Sequence, residues 1–168
     1  FFAYGAVDFL VRADLKQHDK VSRFISELIF KIKVAAQISK REKMTREKQG
    51  SIKIIAIGSS TGGTEAVLEI VKTFPKTAPP TLVVQHMPAV FTRLYAQRLN
   101  YLCEVEVREA VNGDRLRTGL VLIAPGDYQM RLRSDHLGFY VQCVQGEKVS
   151  GHAPSVDVLF HSVAEVVG

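Results

Sequence analysis

The sequence predicts an α/β protein built on a doubly wound, mostly parallel sheet, C-terminally truncated and carrying one β-hairpin. Three observations carry this reading. Beyond about residue 50, apolar runs of strand length alternate with stretches of helical periodicity, the pattern of buried parallel strands and their crossover helices. A glycine- and hydroxyl-rich segment follows the first apolar run, at the carboxyl end of a strand, where such sheets gather their ligands. The chain has 168 residues, 46% hydrophobic and 23% charged, enough to bury a core and too apolar to stay disordered.

The elements follow in chain order. Residues 6–11 make a short strand. Val21, Phe24, Ile25, Leu28, Ile29 and Ile32 then recur at helical spacing behind Asp19, a good N-cap. One strand and one helix cannot bury a core by themselves, so residues 1–36 read as the C-terminal remnant of an upstream domain. Residues 31–53 hold eight Lys or Arg against Glu42 and Glu47, a local charge of +6 in a chain of formal charge +5, which leaves the rest at about −1. With no aromatic side chain after Phe30 in that stretch, residues 37–50 read as a solvated basic linker and not as a nucleic-acid surface.

From residue 51 a second domain runs to residue 168. Strands are expected at 52–57, 82–85, 105–108 and 120–124, with helices at 64–73 and 92–102. Residues 130–132 and 139–142 form a hairpin around 134–138. A last helix starts near Ser155 and places Val156, Leu159, Phe160 and Val163 on one face. The chain opens on Phe1 instead of Met and stops at Gly168 directly after an apolar run, so it reads as a piece of a longer protein. Loss of further strands would uncover a parallel edge and an apolar helix face, and the piece is expected to fold poorly.

Composition narrows the function classes. No apolar stretch approaches the roughly 18 residues a membrane-spanning helix needs, and the opening ten residues are followed at once by Arg12, Asp14 and Lys16. Membrane insertion and a signal peptide are therefore not expected. Cys103 and Cys143 lack metal-ligand spacing and read as inert thiols in a reducing cytoplasm; no metal and no cofactor are expected.

The segment Gly58-Ser59-Ser60-Thr61-Gly62-Gly63 satisfies G-x-S-x-G between a strand and a helix, with Ser60 at the bend. A turn sharp enough to push one hydroxyl over the sheet edge crowds the backbone on both sides and calls for glycine. The helix that follows adds partial positive charge where an oxyanion would form. The same residues, continued to Thr64, also fit the S-x-T-G-x-T loop with which flavodoxin-like proteins cradle a flavin phosphate. A third reading is a glycine-rich turn without chemistry, and the loop alone leaves all three open.

A serine nucleophile needs a base. His86 stands just past the 82–85 strand, and neighbouring parallel strands lie about 4.8 Å apart. If the first two strands are adjacent, Ser60 and His86 come within reach of each other. His18 before the linker, His136 in the hairpin turn, His152 beside Ala153-Pro154 and His161 in the last helix read as surface or packing residues.

These residues, taken together, resemble the chemotaxis protein-glutamate methylesterase family, CheB. The resemblance rests on the segment from Ile54 to Ala66, on Gln85-His86-Met87-Pro88, Phe91-Thr92-Arg93 and Ala124-Pro125-Gly126-Asp127, and on Pro154 to Ala164, five motifs in order. Gly5-Ala6-Val7-Asp8-Phe9 and the helix after it likewise resemble the end of a response-regulator receiver domain. Arg12-Ala13 stands where receivers carry Lys-Pro, and the phosphoacceptor would lie upstream of Phe1.

The resemblance implies a serine esterase with Ser60 as nucleophile and His86 as base. It acts on methylated glutamates of chemoreceptors and releases methanol, and some family members also deamidate receptor glutamines. A chemotaxis histidine kinase is the implied partner of the receiver domain. The third triad member is implied in a Gly-Met-Gly-x-Asp-Gly segment that has no counterpart here and would lie beyond Gly168, so this piece is expected to be nearly inactive. Asp127 fits a strand-end turn and Asp157 a first helical turn, so neither is taken as its substitute. The resemblance also implies that the His86 backbone N–H helps hold the oxyanion and that Thr61 and Met87 shape the pocket.

Overall fold

The computed structural model describes residues 53–167, together with Ser26, Ile29 and Lys31. The chain divides into two compact units, Phe1–Ile52 and Lys53–Gly168. In the first, Ser26, Ile29 and Lys31 are helical, within the helix expected there. The 6–11 strand, Arg12-Ala13, His18 and the 37–50 linker lie outside the described residues.

The second unit is built on four parallel strands: β1 (Ile55–Ser59), β2 (Thr81–Gln85), β3 (Glu106–Glu109) and β4 (Leu120–Ile123), in the spatial order β1-β2-β4-β3. Every residue of β2 and β4 is buried, as continuous apolar runs in the middle of a parallel sheet require. Helix α1 (Gly63–Val71) joins β1 to β2, and α2 (Ala89–Leu102) joins β2 to β3. The two helices are tied by Tyr95, whose hydroxyl donates to the Thr64 carbonyl at 3.0 Å, and by the exposed Arg98–Glu65 ion pair at 2.7 Å.

Strands β5 (Tyr128–Asp135) and β6 (Gly138–Gln145) form a separate antiparallel hairpin, and α3 (Val156–Val167) packs on β5. The central core lies between the sheet, the hairpin and α3: Leu82, Val84, Leu120 and Leu122 meet Met130, Leu132, Val141 and Leu159. Val83, Val121 and Ile123, one residue out of step, are buried on the opposite face by the two-residue period of a strand.

Each element expected after residue 51 is present, with shifted ends. Gly58 and Ser59 belong to β1 and not to the loop, because they pair with Val84 and Gln85 in the ladder. The hairpin is longer than expected, since pairing continues from Tyr128↔Gln145 to Asp135↔Gly138. Phe160 departs from its expected place on the apolar face of the last helix. It is 43% exposed, while Val158, Leu159 and Ser162 are buried. The inward stripe is turned toward Ser162 because its hydroxyl is needed inside: it accepts the Leu132 N–H of β5 at 2.9 Å and donates to the Leu159 carbonyl at 2.7 Å.

Candidate active site

The site forms where β1 and β2 end side by side. In their parallel register Ser59 stands opposite Gln85, so the next residue of each strand, Ser60 and His86, emerges at the same level. The His86 N–H continues the ladder by donating to the Ser59 carbonyl at 3.0 Å. One step beyond, Ser60 Oγ lies 3.3 Å from His86 Nδ1. The pair singled out in the sequence is therefore in contact.

The bend that presents Ser60 is held from several sides. Gly62, the N-cap of α1, has φ 76°, the left-handed region that glycine enters without steric cost. The Ser60 carbonyl accepts the Gly63 N–H at 2.8 Å and the Gln85 side-chain Nε2 at 2.9 Å. A β-carbon on Gly63 would overlap Ser59 Oγ, and one on Gly58 would overlap the Val156 side chain of α3. Gly58, near the end of β1, and Gly63, at the start of α1, thus answer to close approach, and Gly62 between them to backbone conformation. Thr61 is exposed on the turn, and Met87 is half-buried beside the base.

The surroundings of His86 favour its neutral form. Burial is the main influence holding its pKa below the usual histidine value, the nearby His152 pushes in the same direction, and the Asp157 carboxylate pushes back up. For Nδ1 to take the serine proton, that nitrogen must be bare and the ring proton must sit on Nε2. Nε2 is buried and has no hydrogen-bond partner among the described residues, a costly position for an N–H unless an acceptor meets it.

His152, read from the sequence as a surface or packing histidine, is exposed and packs on the site in a way the sequence did not show: it stacks on His86, with ring centroids 3.7 Å apart and planes inclined by 11°. Sixty-six residues of sequence, the hairpin among them, separate it from His86, and only the folding of the hairpin and α3 onto the sheet brings it back. His136 and His161 are exposed, as expected.

The two aspartates stay in their expected structural places. Asp127 lies in a turn at φ 65°, its N–H donating to the Ala153 carbonyl at 3.2 Å. Asp157 opens α3 and accepts Ser150 Oγ at 2.6 Å, acting on His86 through its charge. The His86 N–H implied as an oxyanion donor is already engaged by Ser59. Among the described residues no group of three or more His, Cys, Asp or Glu is arranged to hold a metal, and no helix is long and apolar enough to cross a membrane.

A hydroxyl on a strand-to-helix bend facing an imidazole on the next strand of a parallel sheet is an arrangement that serine hydrolases use. Residues 55–168 match the family model described as CheB methylesterase, and the chain belongs to that family. It is 49% identical to the protein-glutamate methylesterase/protein-glutamine glutaminase 2 of Syntrophomonas wolfei, over 98% of this chain and 50% of that protein. It is 44% identical to a protein of the same description, without the number, from Sulfurimonas denitrificans, over 98% of this chain and 51% of that one. The crystal structure of the Thermotoga maritima CheB methylesterase catalytic domain superposes with a TM-score of 0.67 at 38% identity, covering 70% of this chain and 63% of that one. The chain spans about half the length of the curated relatives it matches. The flavodoxin-like reading of the Ser59–Thr64 loop is not favoured by these likenesses.

Proposed function

We propose that this chain supplies the nucleophile and base of a protein-glutamate methylesterase acting on methylated chemoreceptors. The carrying observation is the 3.3 Å contact between Ser60 Oγ and His86 Nδ1 at the tips of two paired strands. His86 takes the Ser60 proton as Oγ attacks the glutamyl ester carbonyl. Collapse of the tetrahedral intermediate expels the methoxy group, which takes the proton from His86 and leaves as methanol. Water, deprotonated by the same nitrogen, then hydrolyses the acyl-enzyme and regenerates Ser60. A receptor glutamine would follow the same route with ammonia as leaving group, in line with the double description of the relatives.

A carboxylate at His86 Nε2 completes the proposal. It would accept the proton that this tautomer requires and hold the ring in orientation, and its source is the part of the family's length that this chain does not span. Residues 1–36 as the end of a receiver domain, residues 37–50 as a linker, control by a chemotaxis histidine kinase and a cytoplasmic location belong to the same proposal. The test is methanol release from methylated receptor by the protein at the full length of its relatives. Ser60→Ala and His86→Gln are each expected to lower turnover by about 10⁴-fold or more. Unchanged release in either variant would overturn the assignment.

A further inference from the structure

His152 sits on a loop that is fastened from beneath. Its N–H donates to the Val149 carbonyl at 3.1 Å, and its carbonyl accepts the Val149 N–H at 3.0 Å. The same His152 carbonyl accepts Gln129 Nε2 at 3.0 Å, and that nitrogen also donates to the Glu147 carbonyl at 3.0 Å. Gln129 Oε1 in turn accepts the Ser155 N–H at 2.9 Å. Gln129 is 2% exposed, so a buried amide on β5 fixes the backbone on both sides of the stacked ring. The loop is thus a rigid mount, and what it presents to the site is the flat face of an imidazole against His86.

We propose that His152 is a positioning residue of the site, bracing the His86 ring in the orientation that presents Nδ1 to Ser60 Oγ. The proposal rests on the reading of Ser60 and His86 as nucleophile and base. The second side-chain torsion of histidine is broad, and rotation about it by half a turn exchanges Nδ1 for Cδ2, a carbon that can accept no proton. To turn, the ring must pass edge-on through the space that His152 fills at 3.7 Å. A ring that cannot turn spends its time in the one productive arrangement, and that is a contribution to turnover more than to substrate binding.

The stack also bears on protonation. The titratable groups acting on His86 are His152, from the 149–155 loop, and Asp157, from α3; Ser60, on the β1 side, carries no charge. Two imidazoles face to face resist carrying two positive charges, so the brace also favours the neutral base.

The experiment compares His152→Ala and His152→Phe in the full-length protein, by methanol release and by nuclear magnetic resonance of labelled histidines. In the starting protein the His86 ring protons should be displaced upfield by the ring stacked on them. His152→Ala is expected to abolish that displacement, raise the pH at which His86 titrates, and lower kcat by about 10- to 100-fold with little change in KM. His152→Phe keeps a flat ring without a second charge. It is expected to retain the displacement and recover most of kcat, while His86 still titrates above its original value. Absence of the ring-current displacement in the starting protein, an unchanged kcat in His152→Ala, or a Phe variant no better than the Ala variant would overturn the inference. Failure of the esterase reading shows separately, as methanol release that survives Ser60→Ala.

Discussion

The side-chain amide of Gln85 donates to the main-chain carbonyl of Ser60 at 2.9 Å, from a position only 2% exposed at the end of β2. One strand thereby holds the bend at the tip of its neighbour. Gln85→Ala should remove this donor, leave a small buried gap and cost about 1–3 kcal/mol in urea unfolding, with a fall in methanol release as the bend loosens. Gln85→Glu should be at least as damaging, because a carboxylate would face the Ser60 carbonyl with no proton to offer. A glutamate variant as stable and active as the original would show that the contact does not hold the bend.

Asp157 acts on the base without touching it. Its charge raises the His86 pKa, against burial and His152, which lower it. If His86 is the base, as proposed, it works in its neutral form, so activity is expected to fall as pH falls through that pKa. Asp157→Asn removes the raising influence, and the acid limb of kcat/KM against pH should move to lower pH. A shift upward would contradict the electrostatics described here. The same depressed pKa means that the folded state binds fewer protons than the unfolded chain. The stability linked to His86 is therefore full above the usual histidine value of 6.5 and is lost as pH falls through the folded-state value.

Gly58 and Val156 share one small space, since a β-carbon on the glycine would run into both γ-carbons of the valine. Gly58→Ala should destabilise by about 1–3 kcal/mol through overpacking. Adding Val156→Ala should return part of that loss, giving a coupling of about 0.5–3 kcal/mol in a double-mutant cycle followed by denaturant unfolding. Simple additivity would mean that the strain is relieved elsewhere.

Burial pushes the Cys143 thiol up to about 12, and the nearby Asp114 and Glu109 add to the rise. Cys103, half-buried, is raised as well. At pH 8 the Cys143 thiolate is scarce and enclosed, so a Cys103→Ser variant should show no thiol reacting with a disulfide reagent until denaturant is added. Prompt labelling of that variant in its native state would place Cys143 at the surface.

Much of the site was legible because it is local. A strand, a tight glycine turn and a helix lie within about twenty consecutive residues, and the glycines at 58, 62 and 63 mark the bend without any knowledge of what surrounds it. The reach from Ser60 to His86 was legible at one remove, since it needed only that the first two strands of a doubly wound sheet lie together, which the register bears out. Phe160 was misplaced because helical periodicity weighs apolar side chains alone. A buried serine bonded to Leu132 and Leu159 turned the inward stripe toward itself.

The order of apolar runs and turns determined the parallel sheet, the elbow and the candidate pair by itself, because strand periodicity and glycine sterics act between near neighbours in the chain. Only the tertiary structure decided what surrounds that pair. The ring of His152 against the base, the charge of Asp157 and the Gln85 clamp depend on contacts across 25 to 71 residues of sequence. The Gln85 clamp forms when β1 and β2 pair, and the other two exist only once the 149–155 loop and α3 have closed onto the sheet; packing of that kind leaves no periodic trace in the chain.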